Sequence, residues 1–417
     1  MVVELISVGT EILMGNIVNT NAAYLSEKCV QLGLSVYHEV TVGDNRQRLL
    51  DVIKTAAERA DILILGGGLG PTKDDLTKET LAEAFHKKLV TDEHTKERIQ
   101  QYFKKKGNTS LIPENNWKQA EIIEGCQVLD NDNGTAPGLI VENDHGIKAI
   151  LLPGPPNEMI PMFEKQVMPY LNKLCEYRIY SSMIKVCNIG ESAVEMLLMD
   201  LIDAQSNPTI ATYAKTGEVH IRISARTESK KEAESLMKPV ITKIMRKLSG
   251  HIYTMDEKVT LEQCVVNLLK KYNLTLAAAE SLTGGLFSAR IVNVPGASEV
   301  LKGSFVTYTN KTKRKLLGVK KTTLVKHTAV SKETAEEMAK GVASELNADV
   351  AVSMTGIAGP DGGTEEQPVG LVYIACLAKG KVTVKKYQFQ GERQKIRENA
   401  VVAALDLVRK CVINRYA

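Results

Sequence analysis

The alternation of short apolar runs with amphipathic segments near the start of the chain restricts its fold more than any other feature. Residues 2–8, 34–41 and 61–65 have the pattern of strands, whereas residues 19–31 and 46–59 have the pattern of helices. This β-α-β-α-β order predicts a parallel sheet wound on both faces, because consecutive parallel strands need a crossover helix between them. In such an α/β fold, ligands bind outside the carboxyl ends of the strands.

The length and composition of the chain narrow its class. A chain of 417 residues predicts two to four domains. Its 53 Lys and Arg residues nearly balance 49 acidic residues, so we expect no nucleic-acid partner. The seven cysteines include no C-x-x-C pair, which is typical of reduced thiols in a cytoplasmic protein. No apolar run approaches the length of a membrane span, and we expect no membrane partner.

Glycines and carboxylates gather where the predicted strands of the first domain end. Glycines let the backbone approach a phosphate closely, and carboxylates are hard ligands for a divalent ion. The glycine run 66–70 has neither the Walker ending nor G-x-G-x-x-G spacing. Asp74 and Asp75 would equally serve as N-caps of the helix predicted over 76–85. The candidate binding residues are Thr10, Glu11, Gly67, Gly68, Gly70, Gly154 and Glu158, and the candidate metal ligands are Asp44, Asp74 and Asp75.

In the last third of the chain, a serine lies between a predicted strand and a predicted helix. Residues 274–279 read as a buried strand and residues 284–294 as a helix, with Ser281 between them. The backbone amides of such a turn have no partners within the helix and can hold a phosphate or an oxyanion. The alternative is a plain Ser/Thr helix cap followed by packing glycines.

Two further strand ends in the same segment carry polar residues. Tyr308, Asn310 and Lys313 follow the strand predicted over 302–307, and the strand over 350–354 runs into a glycine-rich loop. A lysine activates a serine only if burial or a neighbouring charge lowers its pKa. His327 is the only histidine after residue 259, which favours a Ser-Lys relay over a Ser-His-Asp triad.

Six short motifs occur in order in the last third of the chain: AESLTGG at 279–285, VTYTN at 306–310, AVS at 329–331, TGIAGP at 355–360, PVG at 368–370 and GER at 391–393. In these motifs and their order, residues 259–417 resemble the CinA C-terminal domain, the nicotinamide mononucleotide deamidase family. The family's first motif usually has Cys where this chain has Leu282. That position is not the nucleophile.

The resemblance implies hydrolysis of nicotinamide mononucleotide to nicotinate mononucleotide and ammonia, without a cofactor. Ser281 would attack the carboxamide and form an acyl-enzyme, while Lys313 and Tyr308 would activate the serine and protonate the ammonia. Amides of the Thr283–Gly284 turn or of Gly356 would stabilise the oxyanion or hold the phosphate, and the resemblance leaves open which amides do which. The implied substrate contacts are Thr283, Gly284, Asn310, Thr355, Gly356, Arg393 and Arg397.

Residues 1–174 resemble the molybdopterin-binding-like domain at the front of full-length CinA proteins. The shared strings are GTEIL at 9–13, NTN at 19–21, VGD at 42–44, the glycine-rich loop and PGPP at 153–156. The resemblance implies either molybdopterin binding or metal-dependent cleavage of ADP-ribose, and we favour the second, with Mg²⁺, Mn²⁺ or Co²⁺ on the candidate aspartates. The alternative is a domain that only binds a pterin or nucleotide, within a protein that acts in competence through a partner.

Residues 175–255 resemble the KH-like middle domain of CinA proteins. KH modules that bind RNA use a G-x-x-G loop, and this segment has none. We interpret it as a spacer and dimerisation element, with RNA binding as the alternative, and the family leads us to expect a homodimer. The sequence therefore predicts a three-part cytoplasmic enzyme of pyridine-nucleotide salvage.

Overall fold

The computed structural model describes residues 1–106, 112–175 and 177–416. Their contacts divide the chain into two units. The first unit is Met1–Tyr180 with Arg226–Ala233, and the second is Ser181–Ala225 with Glu234–Ala417. Most of the KH-like segment thus groups with the C-terminal segment. Residues 107–111, 176 and 417 of the predicted domains lie outside the described residues.

The first unit is built around one six-stranded sheet. Its order is β2-β1-β3-β8-β7-β6, and β4 pairs with β5 separately. The strands are β1 Val2–Val8, β2 Ser35–Val42, β3 Ile62–Gly66, β4 Leu89–Thr91, β5 Glu121–Ile123, β6 Gln127–Leu129, β7 Gly138–Glu142 and β8 Lys148–Leu152. The helices are α1 Thr10–Leu13, α2 Thr20–Gln31, α3 Arg46–Ala57, α4 Thr77–Ala84, α5 Glu93–Lys105, α6 Pro156–Met162 and α7 Met168–Leu174.

This sheet is covered on both faces, as the sequence predicts. Ile62 and Ile64 of β3 pack into a core with α2, α6 and α7. The alternate residues Leu63 and Leu65 pack into a second core with α3 and α4. The three strands from which the parallel sheet was predicted are parallel neighbours. At the other edge of the sheet, β7 pairs antiparallel with β8 and β6 with β7. The turn between β7 and β8 is too short for the crossover that a parallel pair needs.

The KH-like segment forms a four-stranded sheet of order β10-β11-β9-β12. Its strands are β9 Arg178–Cys187, β10 Thr209–Lys215, β11 Glu218–Thr227 and β12 Ile252–Thr254, and its helices are α8 Glu191–Asp203 and α9 Lys230–Lys247. Cys187 and Tyr253 belong to the same apolar core as the C-terminal segment. The two segments therefore share a core.

The C-terminal segment has a five-stranded sheet of order β14-β13-β15-β16-β17. Its strands are β13 Leu276–Glu280, β14 Leu301–Val306, β15 Val350–Gly356, β16 Leu371–Ala378 and β17 Lys381–Gln388. Its helices are α10 Leu261–Lys271, α11 Leu286–Val292, α12 Asn310–Leu317, α13 Lys321–His327, α14 Lys332–Leu346 and α15 Arg393–Tyr416. Strands β13, β14 and β15 are parallel neighbours, so their carboxyl ends lie at one edge of the sheet.

The mixed α/β fold expected from the sequence is thus confirmed. None of the helices in the described ranges is both long enough and apolar enough to span a membrane.

Candidate active site

Ser281 lies at the junction between β13 and the turn that leads into α11. Its amide donates to the carbonyl of Met354 on β15, at 3.0 Å, and only 8 % of the residue is exposed. Gly284 and Gly285 come next in the turn, with φ of 59° and 95°. These left-handed conformations favour glycine, which explains the Gly-Gly pair in this tight turn.

Lys313 is hydrogen-bonded to the hydroxyl of this serine. Its Nζ lies 2.9 Å from Ser281 Oγ and 2.7 Å from the carbonyl oxygen of Thr307. Helix α12 is fixed at its start by a capping box between Thr309 and Thr312, which places Lys313 in the first turns. The lysine is 1 % exposed, and burial lowers its pKa to about 8. Because the described residues provide it with no carboxylate partner, this amine is partly neutral near neutral pH and can accept a proton.

Glu280 organises the turn, and the sequence interpretation gave this residue no role. It is completely buried, and its Oε2 accepts from the amides of Gly285 (2.9 Å) and Phe287 (3.2 Å). Its Oε1 accepts from the amide of Ser288 at 3.0 Å and from the hydroxyls of Ser288 and Ser304 at 2.7 and 3.3 Å. The expectation that these amides are free for a ligand is therefore wrong. The available signal was an acidic residue at the end of a strand that is otherwise apolar.

The rest of the turn is held through its carbonyls. Gly284 donates its amide to the carbonyl of Ser281, at 3.1 Å. The guanidinium of Arg397 donates to the carbonyls of Leu282 and Thr283, at 2.9 and 2.8 Å. The amides of Leu282 and Thr283 take part in none of the hydrogen bonds among the described residues. Arg397, predicted as a substrate contact, thus braces the turn.

Tyr308 and Arg393 form a separate pair at this edge of the sheet. Arg393 donates to the hydroxyl of Tyr308 at 3.0 Å and to the carbonyl of Gly359 at 2.6 Å. Tyr308 is 60 % exposed and, among the described residues, makes no hydrogen bond with Ser281 or Lys313. The pair is open to a ligand that approaches from solvent.

The other predicted contacts occupy different positions. Asn310 is the exposed first residue of α12. Thr355 is buried and donates its hydroxyl to the carbonyl of Ala329 at 2.6 Å. Gly356 packs so closely against β16 that a Cβ there would lie 2.6 Å from the carbonyl oxygen of Leu371. Thr355 and Gly356 therefore secure the loops around the site in this structure.

A second candidate site is a cleft of about 810 Å³ at the carboxyl ends of the strands in the first unit. Of the residues predicted to bind there, those that line it are Glu11, Asp44, Gly67, Gly68, Gly70, Asp74, Asp75, Gly154 and Glu158. Thr10 is not in that lining and donates its hydroxyl to Asp44 at 2.8 Å. A Cβ on Gly67 would lie 2.2 Å from the carbonyl oxygen of Val8, so only glycine permits this close crossing of loop and strand.

The three candidate metal ligands in this cleft do not share hydrogen-bond partners. Asp44 accepts from Thr10, Asp75 accepts from the amide and hydroxyl of Thr72 at 2.9 and 2.6 Å, and Asp74 is exposed. Among the described residues, no three His, Cys, Asp or Glu side chains come together as a metal site. The residues present therefore do not form a metal cage from protein ligands alone.

The fold and the two sites define a multidomain α/β protein with a buried serine–lysine pair and a separate acidic cleft. Three family profiles match it: "Probable molybdopterin binding domain" over residues 4–173, "Damage-inducible protein CinA KH domain" over 181–254 and "CinA C-terminal domain" over 258–412. The chain belongs to the CinA family, as the sequence resemblance predicts.

Similar proteins cover either nearly the whole chain or a little more than a third of it. CinA-like proteins of Kosmotoga olearia and Dictyoglomus turgidum are 51 % and 50 % identical, over 99 % of both chains in each case. A crystal structure of competence/damage inducible protein CihA from Agrobacterium tumefaciens is 39 % identical, covers 37 % of this chain and 93 % of that chain, and has a TM-score of 0.36.

The bracing role of Arg397 leads to a prediction about stability. Arg397→Met removes two charged donors from the carbonyls of Leu282 and Thr283, so the free energy of unfolding should fall by about 1–3 kcal/mol. Denaturant unfolding measures this change. Lys395→Met, on the exposed side of the same helix, is the control and should change the free energy by less than about 0.5 kcal/mol. Equal stability of the two variants would contradict the bracing role.

Proposed function

We propose that the C-terminal segment is an amidohydrolase that converts nicotinamide mononucleotide to nicotinate mononucleotide and ammonia, as part of pyridine-nucleotide salvage. The observation that carries the proposal is the 2.9 Å contact between the buried amine of Lys313 and the hydroxyl of Ser281. A nucleophile and a base within hydrogen-bond reach, with a lowered base pKa, are what covalent amide hydrolysis requires.

The reaction would proceed in two steps. Neutral Lys313 takes the proton of the Ser281 hydroxyl as Oγ forms a bond to the carboxamide carbon. The same proton then passes to the departing nitrogen, the C–N bond breaks, and ammonia leaves an acyl ester on Ser281. In the second step a water gives a proton to Lys313 as its oxygen bonds to the ester carbon. The C–Oγ bond then breaks, Lys313 returns that proton to Ser281 Oγ, and nicotinate mononucleotide leaves as the carboxylate with its acid proton lost to solvent. The carbonyl of Thr307, 2.7 Å from Nζ, keeps the amine oriented throughout.

The exposed pair of Arg393 and Tyr308 is our candidate for the substrate phosphate. A guanidinium offers paired donors that match phosphate oxygens, and the neighbouring hydroxyl adds another donor. Its position at the same sheet edge as Ser281 supports this assignment. In this proposal, Tyr308 acts in binding and Lys313 alone carries the proton.

The first test is ammonia release from nicotinamide mononucleotide by the full-length chain. Ser281→Ala should reduce release to background, because no other group replaces the nucleophile, and thermal unfolding should remain close to that of the wild type. Ser344→Ala, an exposed serine on α14, should leave release unchanged. Turnover that persists in Ser281→Ala would remove the serine from the mechanism.

The pH dependence should report Lys313. Because the base works only when neutral, kcat/KM should rise with pH and level off above the pKa of about 8. Lys313→Met should lower kcat by roughly 10²–10⁴-fold and abolish this rise. Lys315→Met, exposed on the same helix, is the control. An unchanged pH profile in Lys313→Met would show that another group is the base.

A second activity is proposed for the cleft of the first unit, namely divalent-metal-dependent hydrolysis of ADP-ribose. The cleft volume, its glycine-rich loop and its carboxylates suit a phosphoanhydride, and Mg²⁺ commonly binds through one or two carboxylates plus substrate phosphates. The alternative is a cleft that binds a nucleotide or pterin without chemistry.

Release of AMP from ADP-ribose distinguishes these two functions. With Mg²⁺, Mn²⁺ or Co²⁺ we expect AMP, and Asp74→Asn, which removes an exposed cleft carboxylate, should reduce its rate about tenfold or more. Asp144→Asn, in the exposed turn after β7, should leave the rate unchanged. Binding of ADP-ribose without AMP release under all three metals would favour the carrier.

A further inference from the structure

We propose that Glu280 is a positioning residue that fixes the turn after Ser281 so that the amides of Leu282 and Thr283 form the oxyanion hole. This inference rests on the proposed amide hydrolysis and adds to it which donors meet the developing charge. The sequence alone left open whether amides of the Thr283–Gly284 turn or of Gly356 stabilise the oxyanion.

Glu280 acts through the backbone and not on the substrate. Its side chain is 0 % exposed, and its two oxygens accept five hydrogen bonds from the start of α11 and from β14. A carboxylate so enclosed has no path to the reacting atoms. It also takes the place of an external anion at the start of α11, so the helix end is not available to the substrate.

The amides next to Ser281 can be sorted by their partners. Gly284 donates to the carbonyl of Ser281, and Gly285 donates to Glu280. Only Leu282 and Thr283 retain unused amides in the described part of this turn, although both residues are at least 97 % buried. A buried amide without an acceptor is costly, and the oxyanion of the tetrahedral intermediate would supply one.

The direction of these two amides is set by the opposite ends of their peptide groups, within a turn whose far end Glu280 holds through the amide of Gly285. In a trans peptide the N–H points away from the preceding C=O. The carbonyl of Leu282 is held by Arg397, which fixes the N–H of Thr283. The carbonyl of Ser281 is held by Gly284, which fixes the N–H of Leu282. Hydrolases with a serine on a strand-to-helix turn also place an oxyanion donor on the residue after the nucleophile.

Glu280→Gln tests the inference in the full-length chain. The amide is nearly the same shape, but its NH₂ would face backbone N–H groups in either orientation, because both carboxylate oxygens accept from amides. We expect kcat for ammonia release to fall roughly 10–100-fold while KM changes less than about threefold. Glu345→Gln, an exposed carboxylate on α14, is the matched control.

A second readout needs no substrate. Covalent labelling of Ser281 by a sulfonyl fluoride, followed by intact mass, measures the competence of the nucleophile and its surroundings. Labelling should slow in Glu280→Gln by a factor similar to the loss in kcat. If Glu280→Gln does not fold, Glu280→Asp makes the comparison, because it keeps the charge but is one methylene too short to reach all its partners, and its labelling should also slow.

The outcomes separate this inference from the proposed function. Labelling and kcat equal to those of Glu345→Gln, in a folded Glu280 variant, would overturn the positioning role. If the wild type releases no ammonia and labelling is nevertheless slower in Glu280→Gln, the positioning role is supported and the proposed substrate is overturned. A loss confined to KM would also overturn the inference, because positioning of the oxyanion donors acts on kcat.

Discussion

The site depends on a lysine that is buried beside a serine without a neutralising carboxylate. Lys313 has only the hydroxyl of Ser281 and the carbonyl of Thr307 as hydrogen-bond partners among the described residues, and burial lowers its pKa to about 8. A buried amine stabilises a fold poorly in this setting, because desolvation is compensated by only two polar contacts. A catalytic role would explain the arrangement, because the desolvation that destabilises the charged ammonium also provides a neutral amine, and therefore a base, near neutral pH.

The two candidate sites would offer different chemical groups to an anionic ligand. The cleft of the first unit presents carboxylates with a glycine-rich loop, so a phosphate there would need positive charge from an ion that it brings along. The C-terminal site instead offers one amine, the Arg393 guanidinium and two free backbone amides. Of the two sets, only the second includes cationic side chains among the described residues, which is why we give the amide hydrolysis the greater weight.

The order of the strands made part of the site predictable from the sequence. Contacts between residues far apart in the chain were not predictable in this way. Ser281 and Lys313 come after neighbouring parallel strands, so their approach at one sheet edge was predictable. The capture of the α11 amides by Glu280 was not predicted, although a carboxylate ending the buried strand β13 was a visible signal. Arg397 had no such signal, since its contacts with the turn span 114 and 115 residues of sequence. The pairing of the later strands was not predicted from the sequence; β7 and β8 are antiparallel because only a short turn joins them.

Helix α15 joins the site to the KH-like segment within the second unit. Arg397, near the start of the helix, holds the turn after Ser281, while Arg409, further along, donates to the carbonyl of Ile252 on β12 at 3.0 Å. Asp406 is 2 % exposed and accepts from Asn188 at 2.7 Å and from Arg409 at 2.6 Å. Removing the KH-like segment would leave this buried acid and its arginine without part of their hydrogen bonds, a costly state in a low-dielectric core. The segment therefore stabilises the helix that braces the turn after Ser281, a structural role that requires no G-x-x-G loop.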